Sequence, residues 1–133
     1  MKQKLHLGAR LIFGLAFFIF GINGFLNFMP TPPMTTEAGT LLEALGATGY
    51  FFPMIKIIEM VAGILLIANY LAPFAVVLIT PILIGITTIH LFLNPAGIPM
   101  MIVLHLLHGY LVVGYKSYYK SLFARKSEAF LSS

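Results

Sequence analysis

Cysteine is absent from this sequence of 133 residues. A chain without cysteine forms no disulfide bond, offers no thiolate to a metal ion and cannot carry out dithiol redox chemistry with its own side chains. Any redox role of this chain must therefore use a bound cofactor.

Charged residues are also scarce, since they make up 9% of the sequence whereas hydrophobic residues make up 59%. So little polar surface cannot cover a soluble globule. The hydrophobic residues instead lie in long runs separated by proline and glycine, which is typical of transmembrane helices. The sequence therefore predicts an integral membrane protein whose first partner is the lipid bilayer.

Four hydrophobic runs have the length that crosses a bilayer, because roughly 20 residues at ~1.5 Å per residue span about 30 Å. They predict an all-α fold, a polytopic membrane four-helix bundle that forms a single domain over residues 1–133. The predicted transmembrane helices cover about residues 8–28, 50–70, 73–93 and 98–117. Residues 118–133 are predicted to form a basic cytoplasmic tail.

The connection between the first two helices carries a helical signal of its own. Thr36 and Glu37 precede three leucines in a pattern that predicts a short, capped amphipathic helix ending near Gly46. We expect this interfacial helix to lie on the outer membrane surface or over the bundle.

The start of the chain has the form of a secretory signal peptide, because Lys2 and Lys4 precede an apolar run. The run from Leu11 to Phe28 is longer than a signal-peptide core, and no small residues suited to cleavage follow it, so we expect a retained helix. The two ends of the chain carry seven of the eight Lys and Arg residues. By the positive-inside rule, this predicts a multi-pass protein of the inner (plasma) membrane with cytoplasmic N and C termini, and no nucleic-acid partner.

Polar side chains inside the predicted helices are the informative positions, because each is costly in lipid and needs a partner. At ~1.5 Å per residue, six of them lie between roughly 5 and 15 Å from the outer ends of their helices. They are Asn23, Lys56, Glu59, His90, His105 and His108. The lysine and the glutamate are three residues apart, as are the last two histidines, so each pair shares a helix face. The pattern predicts one polar chamber that opens outward.

Three kinds of chemistry are open to this set. Facing histidines could ligate haem iron, and Glu59 with the three histidines offers nitrogen and oxygen donors to a transition metal. A histidine and a carboxylate could instead hydrogen-bond the carbonyls of a quinone and exchange protons with it, and a proton or small-solute pathway is the third form. In the opposing structural interpretation, Lys56 and Glu59 only neutralise each other, and the histidines and asparagines join helices. The glycines expected to permit close helix packing are Gly14, Gly21, Gly24, Gly63 and Gly85.

Four short segments carry a family resemblance. They are Arg10-Leu11-Ile12-Phe13-Gly14-Leu15, Gly21-Ile22-Asn23-Gly24-Phe25, Leu41-Leu42-Glu43-Ala44-Leu45-Gly46 and Ile58-Glu59-Met60-Val61-Ala62-Gly63-Ile64-Leu65-Leu66. Together they resemble the DoxX-like family of four-helix membrane proteins, and the last is the strongest because it is similar to the family's glutamate-then-glycine segment. The resemblance covers about Arg10 to Tyr115.

This resemblance implies a four-helix bundle. Some DoxX-like relatives are associated with membrane redox systems, including thiosulfate oxidation linked to quinone and oxidative-stress complexes. Arg10 and Glu59 match positions of the family motifs. The family position before the motif glutamate is often apolar, so Lys56 departs from the pattern, and Lys56 and the histidines are features of this sequence or of a subgroup.

The leading hypothesis is a DoxX-like component of a membrane redox system that binds quinone or a related small molecule, with membrane or periplasmic redox proteins as partners. Its proton-exchanging residues are Glu59, His105 and His108, and its ligand-contacting residues are Asn23, Lys56 and His90. One alternative is a non-catalytic membrane scaffold or assembly subunit, and another is small-solute permeation. The sequence contains no recognised catalytic triad or nucleotide motif, so it does not decide whether the chain is an enzyme.

Overall fold

A computed structural model of the chain describes residues 1–129, and residues 130–133 of the predicted cytoplasmic tail lie outside this described part. Over residues 1–129 the regular secondary structure is entirely helical. The α-helices are α1 (Lys2–Leu26), α2 (Thr36–Ala47), α3 (Phe51–Ala68), α4 (Ala72–Phe92), α5 (Ile98–Gly114) and α6 (Lys116–Tyr119). Short 3-10 helices cover Pro95–Gly97 and Lys120–Phe123.

Four of these segments are long and apolar enough to cross a membrane: α1, α3, α4, and α5 together with the 3-10 turn before it. The predicted fold class, an all-α membrane four-helix bundle with a short helix between its first two long helices, is confirmed. The short helix, α2, has 12 residues and packs beside α3.

The four long helices form a closed ring. Both α1 and α4 pack against α3 and α5, so α1 and α4 occupy opposite corners, as do α3 and α5. Consecutive long helices are antiparallel: Gly14 of α1 lies beside Gly63 of α3 and Gly24 beside Lys56, and short connections join α3 to α4 and α4 to α5. We call the end that carries Leu26, Phe51 and Phe92 the α2 end, and the opposite end, where α1 begins and α5 ends, the terminal end.

The observed ends of the helices depend on residues that a hydrophobicity pattern alone does not identify. α1 begins at Lys2, six residues before the predicted start at residue 8, because the Lys, Gln and Leu residues there also favour a helix although they are less apolar. α1 ends where Asn27 adopts a left-handed backbone with φ of 51°, and Asn69 ends α3 in the same way with φ of 54°. Asparagine tolerates this conformation better than most side chains, so these two residues terminate helices.

Glycines bring α1 and α3 into close contact. A Cβ atom at Gly63 would lie 2.6 Å from the carbonyl oxygen of Gly14, and one at Gly21 would lie 2.8 Å from that of Lys56. Small residues allow membrane helices to approach in this way. At Gly85, by contrast, no neighbouring atom within residues 1–129 lies within 4 Å of a Cβ position. The prediction that Gly85 permits helix packing is therefore wrong.

The interior of the bundle away from the α2 end is filled by apolar side chains. The fully buried members of this core include Phe13, Phe17, Leu66, Ile79 and Leu111. They come from all four long helices, so each helix contributes to one continuous core. This packing separates the terminal end from the cavity described below.

Arg10 and Tyr119 close the terminal end by hydrogen-bonding backbone carbonyls. Arg10 is buried, and its Nη1 atom donates to the carbonyl oxygens of Leu66 and Ile67 in the last turn of α3. The Leu66 carbonyl also accepts from the Asn69 N–H that caps α3, and a cation suits the negative end of the helix dipole. The Tyr119 hydroxyl donates to the carbonyl oxygen of Pro73 at 2.8 Å. Burial raises the pKa of Tyr119 to about 12, so the phenol stays a neutral donor.

Candidate functional site

A cavity of about 530 Å³ lies between α2, α3 and α4 at the α2 end of the bundle. Most of its wall is aromatic or aliphatic, including Leu42, Phe51, Phe52, Ile82 and Ile86. Its polar lining residues are Lys56, Glu59, His90 and Asn94. A cavity of this size, with a few polar groups on apolar walls, is typical of a small-molecule site.

α2 supplies one wall of the cavity, and Thr35 fixes where that wall begins. The Thr35 hydroxyl accepts a hydrogen bond from the Ala38 backbone N–H at 3.2 Å, which caps the helix. The same hydroxyl donates to the carbonyl oxygen of Leu93, just after α4. Thr35 therefore joins the start of α2 to the end of α4 and sets one edge of the cavity.

Lys56 and Glu59 form an ion pair at the deep end of the cavity. The Lys56 Nζ atom lies 3.1 Å from Glu59 Oε2, as expected for residues three apart on one helix face. The Glu59 side chain is 1% exposed, whereas that of Lys56 is 26% exposed. Glu59 is the one carboxylate in the membrane-crossing helices. A Cβ at Gly24 would lie 2.7 Å from Lys56 Cδ, so this glycine leaves the room that the lysine stem occupies.

His90 lines the same cavity nearer the α2 end. Its Nδ1 atom lies 3.2 Å from the Asn94 carbonyl oxygen, and because a carbonyl can only accept, Nδ1 carries the proton. In the neutral ring, Nε2 is then a hydrogen-bond acceptor. A side chain at Gly97 would overlap the His90 ring, so Gly97 allows the ring to take this position. His90 also lines a second, apolar pocket of about 290 Å³ beside α5.

His105 and His108 face α4 and hydrogen-bond its threonines. The His108 Nε2 atom lies 2.8 Å from Thr80 Oγ1, and the His105 Nε2 atom lies 2.7 Å from Thr87 Oγ1. Each threonine hydroxyl also lies within hydrogen-bonding distance of a carbonyl oxygen one turn earlier in α4. A hydroxyl that donates its single hydrogen to that carbonyl accepts the Nε2–H of the histidine. These histidines join α5 to α4 and do not line the cavity.

The six predicted side chains thus do not share one chamber. Lys56, Glu59 and His90 line the cavity. His105 and His108 lie on α5, the helix opposite α3 in the ring, and contact α4. Asn23 is placed differently again, because its Oδ1 atom accepts from the Met29 backbone N–H at 2.8 Å and so fixes the chain where α1 ends. The expectation of a single outward chamber built from all six is wrong.

The ligand set proposed for a transition metal does not come together either. Within residues 1–129, no three side chains of His, Asp or Glu lie close enough to hold one metal ion. Glu59 lies against the cavity and pairs with Lys56, while the Nε2 atoms of His105 and His108 are engaged by threonine. These donors therefore act at separate places in the bundle.

Asn94 is a polar residue of the cavity that the sequence did not predict as part of a site. It lies between α4 and the Pro95–Gly97 turn and is 8% exposed. The Asn-Pro-Ala-Gly segment predicts a tight break between helices. This pattern does not indicate that the Asn94 side chain lines a cavity. Only the tertiary placement of α2 and α3 beside this turn makes the residue informative.

Four helices long and apolar enough to cross a membrane define the class: this is a multi-pass helical membrane protein, and its bundle holds a cavity with an ion pair. Among known proteins, no family model, curated protein or solved structure matches the chain.

A double-mutant cycle tests whether the histidines join helices. Thr80→Val and His108→Leu each remove one partner of the same hydrogen bond, and we expect a coupling energy of about 0.5–1.5 kcal/mol from unfolding in mixed detergent micelles. The control cycle pairs His108→Leu with Thr88→Val, whose hydroxyl bonds Gly85 instead. Equal coupling in the two cycles would show that the Thr80–His108 bond does not hold α4 and α5 together.

Proposed function

We propose that this chain is a DoxX-like component of a membrane redox system that binds a quinone or a related small molecule in the cavity between α2, α3 and α4. The observation that carries the proposal is the pairing of a 1% exposed carboxylate with a lysine at the deep end of an apolar cavity of about 530 Å³. Buried charges of this kind in a membrane helix are functional-site candidates.

The chemistry of the lining suits a quinone. Apolar walls accept the ring, the Lys56 ammonium donates to a ring carbonyl, and the Glu59 carboxylate and His90 Nε2 accept hydroxyl protons of the reduced form. Reduction of a quinone to a quinol takes two electrons and two protons. The electrons in this proposal come from a membrane or periplasmic redox partner protein, because the chain has no cysteine to supply them. In this proposal Glu59 and His90 exchange the protons.

The orientation of the bundle is part of the same proposal. The terminal end carries seven of the eight Lys and Arg residues of the sequence, and the eighth is Lys56 in the cavity. With the positive end in the cytoplasm of an inner-membrane protein, the cavity lies in the outer half of the bilayer. A periplasmic partner could then approach the α2 end directly.

Purification without added ligand tests the proposal. We expect a quinone to be extracted from the purified protein and recognised by its ultraviolet spectrum, and added decylubiquinone to raise the Tm by mass action. Glu59→Gln is expected to reduce the Tm shift given by decylubiquinol, the reduced form, by at least about half, because a neutral amide oxygen replaces the charged acceptor of its hydroxyl. The matched control is Glu43→Gln on the exposed face of α2. A wild-type protein that carries no quinone and shows no Tm shift would refute the proposal.

A scaffold is the second candidate, and the bonds of Asn23, His105 and His108 favour it. All three side chains fix a helix end or join two helices. A scaffold predicts that Glu59→Gln and His108→Leu lower abundance and partner association together, while decylubiquinone stabilises neither the wild type nor the variants. Small-solute permeation is less favoured, because apolar side chains pack the bundle between the cavity and the terminal end. Flux through liposomes containing the protein measures it directly.

A further inference from the structure

The side chain of Asn94 is a polar group of the cavity that has no hydrogen-bond partner in the fold. The residue is 8% exposed and lines the cavity, yet its side chain makes no capping hydrogen bond to the turn that it begins. Its backbone is fully engaged, since its N–H donates to the Ile89 carbonyl and its carbonyl accepts from the Gly97 N–H and from His90. Within residues 1–129, every hydrogen bond of Asn94 is a backbone one.

The carboxamide borders the open space of the cavity and has no hydrogen-bond partner among residues 1–129, so a molecule that enters the cavity can bind it. A ligand in the cavity would supply the missing partner. The carboxamide carries no charge and offers one acceptor and two donors, so it suits an uncharged carbonyl or hydroxyl group. The ion pair at the other end is also neutral as a unit, and an uncharged ligand fits both ends.

The spacing of the two ends limits the size of that ligand. Glu59 lies eight residues into α3 from Phe51, which borders the same end of the cavity as Asn94. At 1.5 Å per residue this is about 12 Å along the bundle. Two hydrogen bonds of ~2.8 Å take up roughly 6 Å of this length, which leaves room for one six-membered ring between them.

We propose that Asn94 is a specificity-determining residue that hydrogen-bonds the far carbonyl or hydroxyl of an uncharged ring ligand whose near polar group meets Lys56 and Glu59. This inference rests on the proposed function, because it requires that the cavity binds a quinone-like molecule. It adds that the site recognises both ends of the ring. Molecules with a polar group at one end only are bound more weakly.

Two probes and two variants test the inference on the purified full chain. The probes are decylubiquinone, which has a polar group at each end of its ring, and 4-decylphenol, which has one. Asn94→Leu replaces the carboxamide by an apolar group of similar size, and Thr88→Val removes a hydroxyl from α4 away from the cavity. Affinity is measured from the Tm shift across a titration of each probe.

We expect Asn94→Leu to weaken decylubiquinone binding about tenfold, the effect of one lost hydrogen bond, and to leave 4-decylphenol binding unchanged. The variant is expected to be as stable as the wild type without ligand, since no internal hydrogen bond is lost. Thr88→Val is expected to bind both probes like the wild type.

Three outcomes would overturn the inference. Asn94→Leu binding decylubiquinone as tightly as the wild type would show that the carboxamide does not contact the ligand. An equal loss for both probes, or a loss of stability without ligand, would give Asn94 a structural role. A wild type that binds neither probe would refute the proposed function itself, and this result differs from the other two because it involves no variant.

Discussion

Replacing Gly63 by alanine is expected to destabilise the bundle by about 3 kcal/mol, through overpacking of the α1–α3 interface. The added Cβ atom would lie 2.6 Å from the Gly14 carbonyl oxygen and 2.7 Å from the Phe18 backbone nitrogen. Both are backbone atoms of α1, so no side-chain rotation relieves the overlap. The two helices must separate, and the packing of Phe17 and Leu66 in the core would loosen with them.

Gly109→Ala is the matched control for this prediction. Gly109 lies within α5, and no neighbouring atom of the described residues lies within 4 Å of its Cβ position. Alanine favours the helix over glycine, so this variant is expected to gain about 0.5–1 kcal/mol. Unfolding of both variants in mixed detergent micelles gives the comparison. If Gly63→Ala were as stable as Gly109→Ala, α1 and α3 would not approach as closely as described.

The long helices could be predicted from the sequence because hydrophobic run length, proline and glycine act locally along the chain. The same signals could not locate the start of α1, since residues 2–7 are helical without being strongly apolar. They also could not show that Gly63 lies at a contact with another helix whereas Gly85 does not. Both are glycines in apolar helices, and only the ring order of the helices decides which of them lies at an interface.

The candidate site could be predicted in part for the same reason. Lys56 and Glu59 lie on one helix, so their spacing alone placed them together. His105 and His108 also share a face, but their partners depend on whether α5 borders α3 or α4, and the sequence does not specify this. Their hydrogen-bond partners, Thr80 and Thr87, are 7 residues apart on α4, whereas the histidines are 3 apart on α5, so the sequence spacing does not indicate these pairs.

Lys56→Met is expected to cost about 2–3 kcal/mol of stability, more than Glu59→Gln costs. The lysine change leaves a 1% exposed carboxylate without its partner, and a fully buried pair broken in this way loses about 3–5 kcal/mol. The partial exposure of Lys56 places the expected cost below that range. Glu59→Gln instead leaves an ammonium on a flexible stem that is 26% exposed, so about 1 kcal/mol is expected.

The double variant Lys56→Met/Glu59→Gln shows whether the ion pair is needed for folding or for ligand binding. Removing both charges leaves no buried ion, so its stability in mixed detergent micelles is expected to return to within about 1 kcal/mol of the wild type. Lys120→Met at the exposed terminal end controls for loss of a lysine in general. A double variant no more stable than Lys56→Met would contradict an independent ion pair and point to further contacts of Lys56. If the double variant is stable but does not bind decylubiquinone, folding does not need the pair, and its presence in an apolar cavity is explained by the ligand.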